Sequence, residues 1–210
     1  MTIPKGLDLS LRLGSGDVDI NDFSGKLRVV SGSGDISIGR IEGDADFSTG
    51  SGDIDLNEIR GDVRCRTGSG TVSLGTVDGN AWINTGSGDI SVTVVTGDLS
   101  VHTASGSVSI RSRQGSIRII TGSGDVVAES EARKAEIDIN ATSGNVLLVL
   151  THIESLDLDI RTISGSIYSQ VPVQVKKPGP NRLVGYYGNG DLRVRVRTSS
   201  GDITVKQASV

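Results

Sequence analysis

Thr49-Gly50-Ser51-Gly52-Asp53-Ile54 returns as Thr67-Gly68-Ser69-Gly70-Thr71-Val72 and as Thr85-Gly86-Ser87-Gly88-Asp89-Ile90, a phrase repeated every eighteen residues. Outward from it, Gly16, Gly34, Gly106 and Gly124 extend the spacing, and Gly25, Gly43, Gly61, Gly79, Gly97 and Gly115 fall nine residues away, at the middle of each unit. A period of this length marks a stacked repeat architecture. Within a unit the polarity alternates with period two: Ile54 and Leu56, then Val63, Cys65 and Thr67, are interleaved with Asp55, Arg64 and Arg66. That alternation is the pattern of strands with one buried face.

One unit later the same columns hold Val72, Leu74, Ala81, Ile83 and Thr85, and then Ile90, Val92, Leu99, Val101 and Thr103. Apolar columns therefore stack on apolar columns, and a coil that cannot bury its inner face alone is completed by its neighbours. The sequence predicts an all-β fold, a single-domain parallel β-solenoid (β-helix) over 1–210 with 18-residue coils. About ten rungs, spaced as strands are in a sheet, give a rod roughly 50 Å long, and the rule for parallel crossovers predicts right-handed winding. Regular coils are expected over 7–128 and looser coils with insertions over 129–210, as the glycine column slackens to Gly144, Gly165 and Gly201. The main insertion, 171–188, and the extra residues near Glu129 and Thr151 are expected as loops on a coil that otherwise continues.

Composition agrees. With 29 glycines, 4 prolines and 3% aromatics, the chain has many corners and few large anchors, as short strands with tight turns require. Its net charge of -4, from 21 basic and 25 acidic residues, does not suit a nucleic-acid binder. A single cysteine, Cys65, excludes an internal disulfide and a cysteine metal cluster. The start, Met1 to Lys5, has no leader pattern, and no run of eighteen apolar residues predicts membrane insertion. Leu7 to Ile20 reads as an ordinary coil, so open strand edges would allow end-to-end stacking into a homo-oligomer.

The repeated polar residues invite chemical readings. Asp17, Asp35, Asp53, Asp89 and Asp125, with Asp44, Asp62 and Asp98 at the half-turn, could line up as a calcium ladder. Against that, the aspartate directly follows the glycine instead of lying two beyond it, and the column is interrupted by Thr71, Ser107 and Asn145. Asp, Asn, Ser and Thr share the ability to hydrogen-bond their own backbone at a turn, so the expected role is corner capping, with no metal or other cofactor assigned. Thr49, Thr67, Thr85, Thr103 and Thr121, with Ser51, Ser69, Ser87, Ser105 and Ser123 two residues on, have the regularity of an ice-binding array. Parity with Val63 and Cys65 instead turns both hydroxyl columns inward.

The outward columns carry Arg28, Asp46, Ser48, Arg64, Arg66, Trp82, Asn84, Ser100, His102, Arg118 and the triplet Arg193, Arg195 and Arg197. Trp82, with Arg64 one rung away and His102 on the diagonal, is the candidate binding surface, a stacking platform for a sugar or a protein partner. The arginine triplet is expected as a solvated strand face that discourages edge pairing. With two histidines, His102 and His152, and Cys65 assigned inside, no nucleophile and base can be paired, and no catalytic residue is assigned.

These motifs, together with Tyr187-Gly188-Asn189-Gly190 and Thr198-Ser199-Ser200-Gly201-Asp202-Ile203 near the end, resemble a bacterial family of adhesin-type β-strand repeat proteins, largely of unknown function. The resemblance covers nearly the whole chain. It implies a surface or envelope role for a non-enzymatic module and supplies no site residues.

Overall fold

The computed structural model describes residues 6–179 and 181–208. The leader reading of Met1–Lys5 and the identity of Pro180 as part of the insertion lie outside the described residues. Every regular element is a strand, and the strands form two sheets. Sheet A takes the odd-numbered strands β1 (Leu9–Leu13), β3 (Leu27–Ser33), β5 (Ala45–Ser51), β7 (Val63–Ser69), β9 (Ala81–Ser87), β11 (Leu99–Ser105), β13 (Ile117–Ser123) and β15 (Ala135–Ser143). Sheet B takes their successors β2 (Val18–Ser24), β4 (Ile36–Glu42), β6 (Ile54–Arg60), β8 (Val72–Asp78), β10 (Ile90–Val95), β12 (Val108–Ser112), β14 (Val126–Ser130) and β16 (Val146–Leu150). Pairing is parallel and one unit apart, as in Val63↔Ala81 and Cys65↔Ile83. The parallel β-solenoid read from the sequence is the fold.

The corners explain the glycines. Gly88 has φ 142, and a Cβ there would lie 2.0 Å from the Gly70 carbonyl oxygen of the coil before. A side chain is thus excluded twice, by backbone conformation and by the approach of the neighbouring corner. Between corners the predicted columns turn inward: Val63, Cys65, Leu56, Ile83 and Val101 are all buried, in one cluster running along the rod. Sheet B departs from strict alternation, because its buried residues step by two and then three, as at Ile54, Leu56 and Ile59. Asn57 has no register partner on β8, and the pairing resumes unshifted at Glu58↔Thr76.

The two hydroxyl columns separate. Thr49, Thr67, Thr85, Thr103 and Thr121 are buried as expected, and each donates to the carbonyl of the serine two residues on, at 3.1, 3.0, 3.3, 3.0 and 3.2 Å. The serines themselves are exposed, contrary to the parity expectation, because the chain is already leaving the strand for its glycine corner. The aspartates also differ in detail. Their carboxylates do not bond their own turn; they accept the backbone N–H eighteen residues on, Asp35 on Asp17 at 2.9 Å and Asp53 on Asp35 at 2.8 Å. The caps therefore tie each corner to the next coil.

The largest correction lies beyond β16. The chain forms β17 (Leu156–Ser164) and β18 (Ile167–Gln170), then a hairpin of β19 (Gln174–Gly179) and β20 (Arg182–Tyr187), and finally β21 (Leu192–Ser200) and β22 (Ile203–Gln207). In space, β21 lies between β15 and β17, and β22 lies between β16 and β18. The glycine column runs Gly144, Gly201, Gly165 and not in chain order, since a Cβ on Gly201 would meet Gly144 and one on Gly165 would meet Gly201. The coil does not simply continue past the insertion; 171–188 is not a loop but contributes an antiparallel hairpin, and β20 covers the edge of β17. At this end β19, and not β17, is the outermost strand of sheet A.

Outward side chains account for this order. Glu136 and Asp138 on β15 face Arg193 and Arg195 on β21, which in turn face Asp157 and Asp159 on β17. Arg195 reaches the Glu136 carboxylate at 2.9 Å. Stacked in chain order, β15 would meet β17, and four carboxylates would oppose one another, an unfavourable arrangement for directly opposed pairs. Arg193 and Arg195 therefore lie on an inner strand between acidic neighbours, Arg197 lies between Asn140 and Arg161, and the triplet is not an edge guard.

Candidate functional site

Trp82 stands outward on β9 because its neighbours Ala81 and Ile83 are committed to the core. Its indole is 36% exposed, the residue's ring being supported on the β7 side by Arg64, whose guanidinium carbon lies 4.8 Å from the ring centroid. Arg64 is available for this contact because Asp46, its register partner on β5, holds Arg66 at 3.0 Å and Arg28 at 3.9 Å. A cation over an indole face is attracted by the ring quadrupole, and the pair is held as a rigid outward ledge.

Three shallow hollows in sheet A share Trp82. One of 300 Å³ is bounded by Arg64, Arg66, Asn84 and His102 as well, so the three residues singled out in the sequence, Trp82, Arg64 and His102, do meet on one face. A second, of 470 Å³, runs toward β1 past Lys26, Arg28 and the corner aspartates Asp44 and Asp62. The third, of 280 Å³, opens on the β11 side over Ser100 and ends at Arg118, Glu136 and Asp138. The sequence reading placed Ser100 and Arg118 in an outward column without joining them to Trp82. The signal was present, since Arg64, Trp82, Ser100 and Arg118 are successive members of one eighteen-residue column.

Elsewhere the chemistry is quiet. Cys65 is buried, and desolvation, with the Asp46 carboxylate adding to it, pushes its thiol far above the ordinary range, so it is held protonated. Among the described residues no group of three or more His, Cys, Asp or Glu side chains is placed to hold a metal ion. One oxygen of a corner aspartate, Oδ1, accepts an amide of the next coil, as where Thr71 N–H donates to Asp53 at 2.7 Å. Among the described residues no helix is long and apolar enough to cross a membrane.

Fold and face together define a β-solenoid repeat protein whose long sheet carries an aromatic and ionic outer surface. The chain belongs to the Toastrack DUF4097 family, a domain family of unknown function whose model matches residues 5–58 and 43–206. The two matches overlap within the regular coils, as a repeat allows. No curated protein and no solved structure matches the chain.

Proposed function

We propose that this protein is a non-enzymatic structural and adhesion-type module, a rigid rod whose sheet A face binds a protein or glycan surface at the cell envelope, with Trp82 at the centre of contact. The observation that carries this reading is the convergence of three hollows on one half-exposed tryptophan held by a guanidinium. Exposed aromatic anchors on a rigid frame suit recognition because little side-chain freedom is lost on contact. Arg64 and His102 flank the indole and complete the surface.

A glycan and cell-envelope binding screen of the intact protein beside Trp82→Ala tests it. Binding by the parent that the variant loses supports a located adhesion face; equal behaviour of the two rules that face out. The alternative, a scaffold of rods stacked end to end, would pair through β19 and β18 at this end, since β20 already pairs with β17. Concentration-dependent light scattering separates the readings, because a strict monomer cannot be a filament.

A further inference from the structure

We propose that the hollow over Arg197 and Ile163 on sheet A binds a phosphate monoester whose organic part is apolar. The site lies on the last coils, away from Trp82, and goes beyond the adhesion reading without resting on it. Arg197 on β21 is the register partner of Arg161 on β17, and Arg161 is the register partner of Arg182 on β20. Three guanidiniums are therefore rooted on consecutive strands, about 4.8 Å apart, where like charges repel well inside one Debye length. Asp159 relieves only part of this. It accepts from Arg161 at 3.0 and 2.7 Å and from Arg182 at 3.4 and 3.5 Å, so each of its oxygens already serves two arginines. Arg197 takes part in no ion pair among the described residues. On its other side it meets Asn140, whose amide is turned to Asp138 at 2.9 Å.

The charge count selects a dianion. Strands β13, β15, β21, β17 and β20 together hold six arginines and four carboxylates, a surplus of two positive charges. The surplus gathers at a hollow of 530 Å³ whose lining includes Arg161 and Arg197 and no carboxylate. A phosphate monoester carries about −1.5 to −2 charges at neutral pH and three acceptor oxygens, which guanidinium forks from two neighbouring strands can share. A carboxylate or a sulfate ester brings a single charge and leaves the other cation uncompensated. Beside the arginines stands Ile163, at 75% the most exposed large apolar side chain among the described residues, and Ile120 bounds the same hollow. An apolar group on the ester takes the Ile163 side chain out of water. Asn181, whose amide donates to the Ile163 carbonyl at 2.8 Å, ties the hairpin to this rim.

The experiment titrates the full chain with phenyl phosphate by calorimetry at neutral pH and low salt, beside phenyl sulfate and inorganic phosphate. Expected are saturable binding of phenyl phosphate with a raised melting temperature, and binding of phenyl sulfate at least about tenfold weaker. Arg197→Gln should lose about tenfold, and Ile163→Ser should weaken phenyl phosphate while leaving inorganic phosphate unchanged. Without ligand, Arg197→Gln should melt no lower than the parent, because it removes one of three opposed like charges. Vesicles of phosphatidylcholine with phosphatidic acid are the second probe. Arg197-dependent flotation with them assigns the ester to a lipid surface, and binding of phenyl phosphate without flotation assigns it to a soluble molecule. No binding of either probe, equal binding of phenyl phosphate and phenyl sulfate, or an Arg197→Gln variant that binds as the parent does overturns the inference. Trp82→Ala should bind phenyl phosphate as the parent does, so this site and the adhesion face stand or fall separately; a loss in that variant places the binding elsewhere and overturns the inference too.

Discussion

From β1 to β16 each coil stacks on the coil made immediately before it, whereas beyond β16 the coil made last lies inside the one made earlier. The two regions use the same inner chemistry. Leu156, Leu158, Ile160 and Thr162 of β17 and Leu192, Val194, Val196 and Thr198 of β21 would each fill the next place in the core equally well. Burial therefore cannot choose between them. In the regular region it need not, because chain connectivity offers only one next coil. Where two coils compete, the outer face decides, by setting Arg193 and Arg195 between Glu136 and Asp138 on one side and Asp157 and Asp159 on the other.

The comparison breaks most directly by removing the outer rung. Deleting Glu154–Gly190 leaves Thr151, His152, Ile153 and Asp191 to join β16 to β21, a link of the same length as the Glu131–Lys134 segment between β14 and β15. Because β21 already stacks on β15, the shortened chain should keep a sheet circular-dichroism spectrum and cooperative melting. Its denaturant m-value should fall with the surface removed. A variant that cannot fold would mean that the outer rung and hairpin are needed to hold β21 and β22 in place.

Corner substitutions sharpen the contrast at single positions. Gly88→Ala, inside the regular region, should cost about 3 kcal/mol or more in chemical denaturation, since the strained φ and the contact with the Gly70 carbonyl cannot both be relieved between packed coils. Gly165→Ala meets the Gly201 carbonyl at a similarly short distance, 2.1 Å, but on the outermost rung. It should cost less, because that rung can shift outward. Equal costs would show that the end of the rod is as rigid as its middle.

Reversing the arginines tests the charge argument itself. Arg193→Glu with Arg195→Glu faces new carboxylates with the acidic residues of β15 and β17, and about 2 kcal/mol should be lost at low salt, partly recovered at high salt as the repulsion is screened. Unchanged stability at both salt concentrations would leave the stacking order without its electrostatic cause.

Most of the regular region was legible because its information is local and repeated: a glycine at each corner, an apolar residue at every second position, the same columns eighteen residues later. Trp82, Arg64 and His102 could be put on one face by parity alone, and they share a hollow. Parity failed at Ser69, where the strand gives way to a corner, and at Ile59, where sheet B takes a three-residue step. The order of the last coils was not legible from the repeat, since both candidates satisfy it. It was written in charges, but Glu136 and Arg195 are 59 residues apart and nothing in the period joins them.

The smallest effect belongs to Asp159, where the reordered end meets its hairpin. Its carboxylate bonds Arg161 at 2.7 Å and lies 3.4 Å from Arg182 on β20. The Arg161 hydrogen bond foremost, with Arg182 adding to it, holds its pKa below the ordinary 3.8 against the opposing effect of burial. A carboxyl more acidic in the folded chain than in the unfolded one adds stability above its unfolded pKa and loses it as pH falls through the folded value. Asp159→Asn should therefore melt slightly below the parent at neutral pH, and the difference should close as the pH drops from just under 3.8 to lower values. The shift stays small because Arg161 and Arg182 are both well exposed to water. If the two melting curves differ by the same amount at every pH, the ion pair adds nothing, and the hairpin is held on β17 by its antiparallel backbone bonds and the packing of Val173 and Leu183.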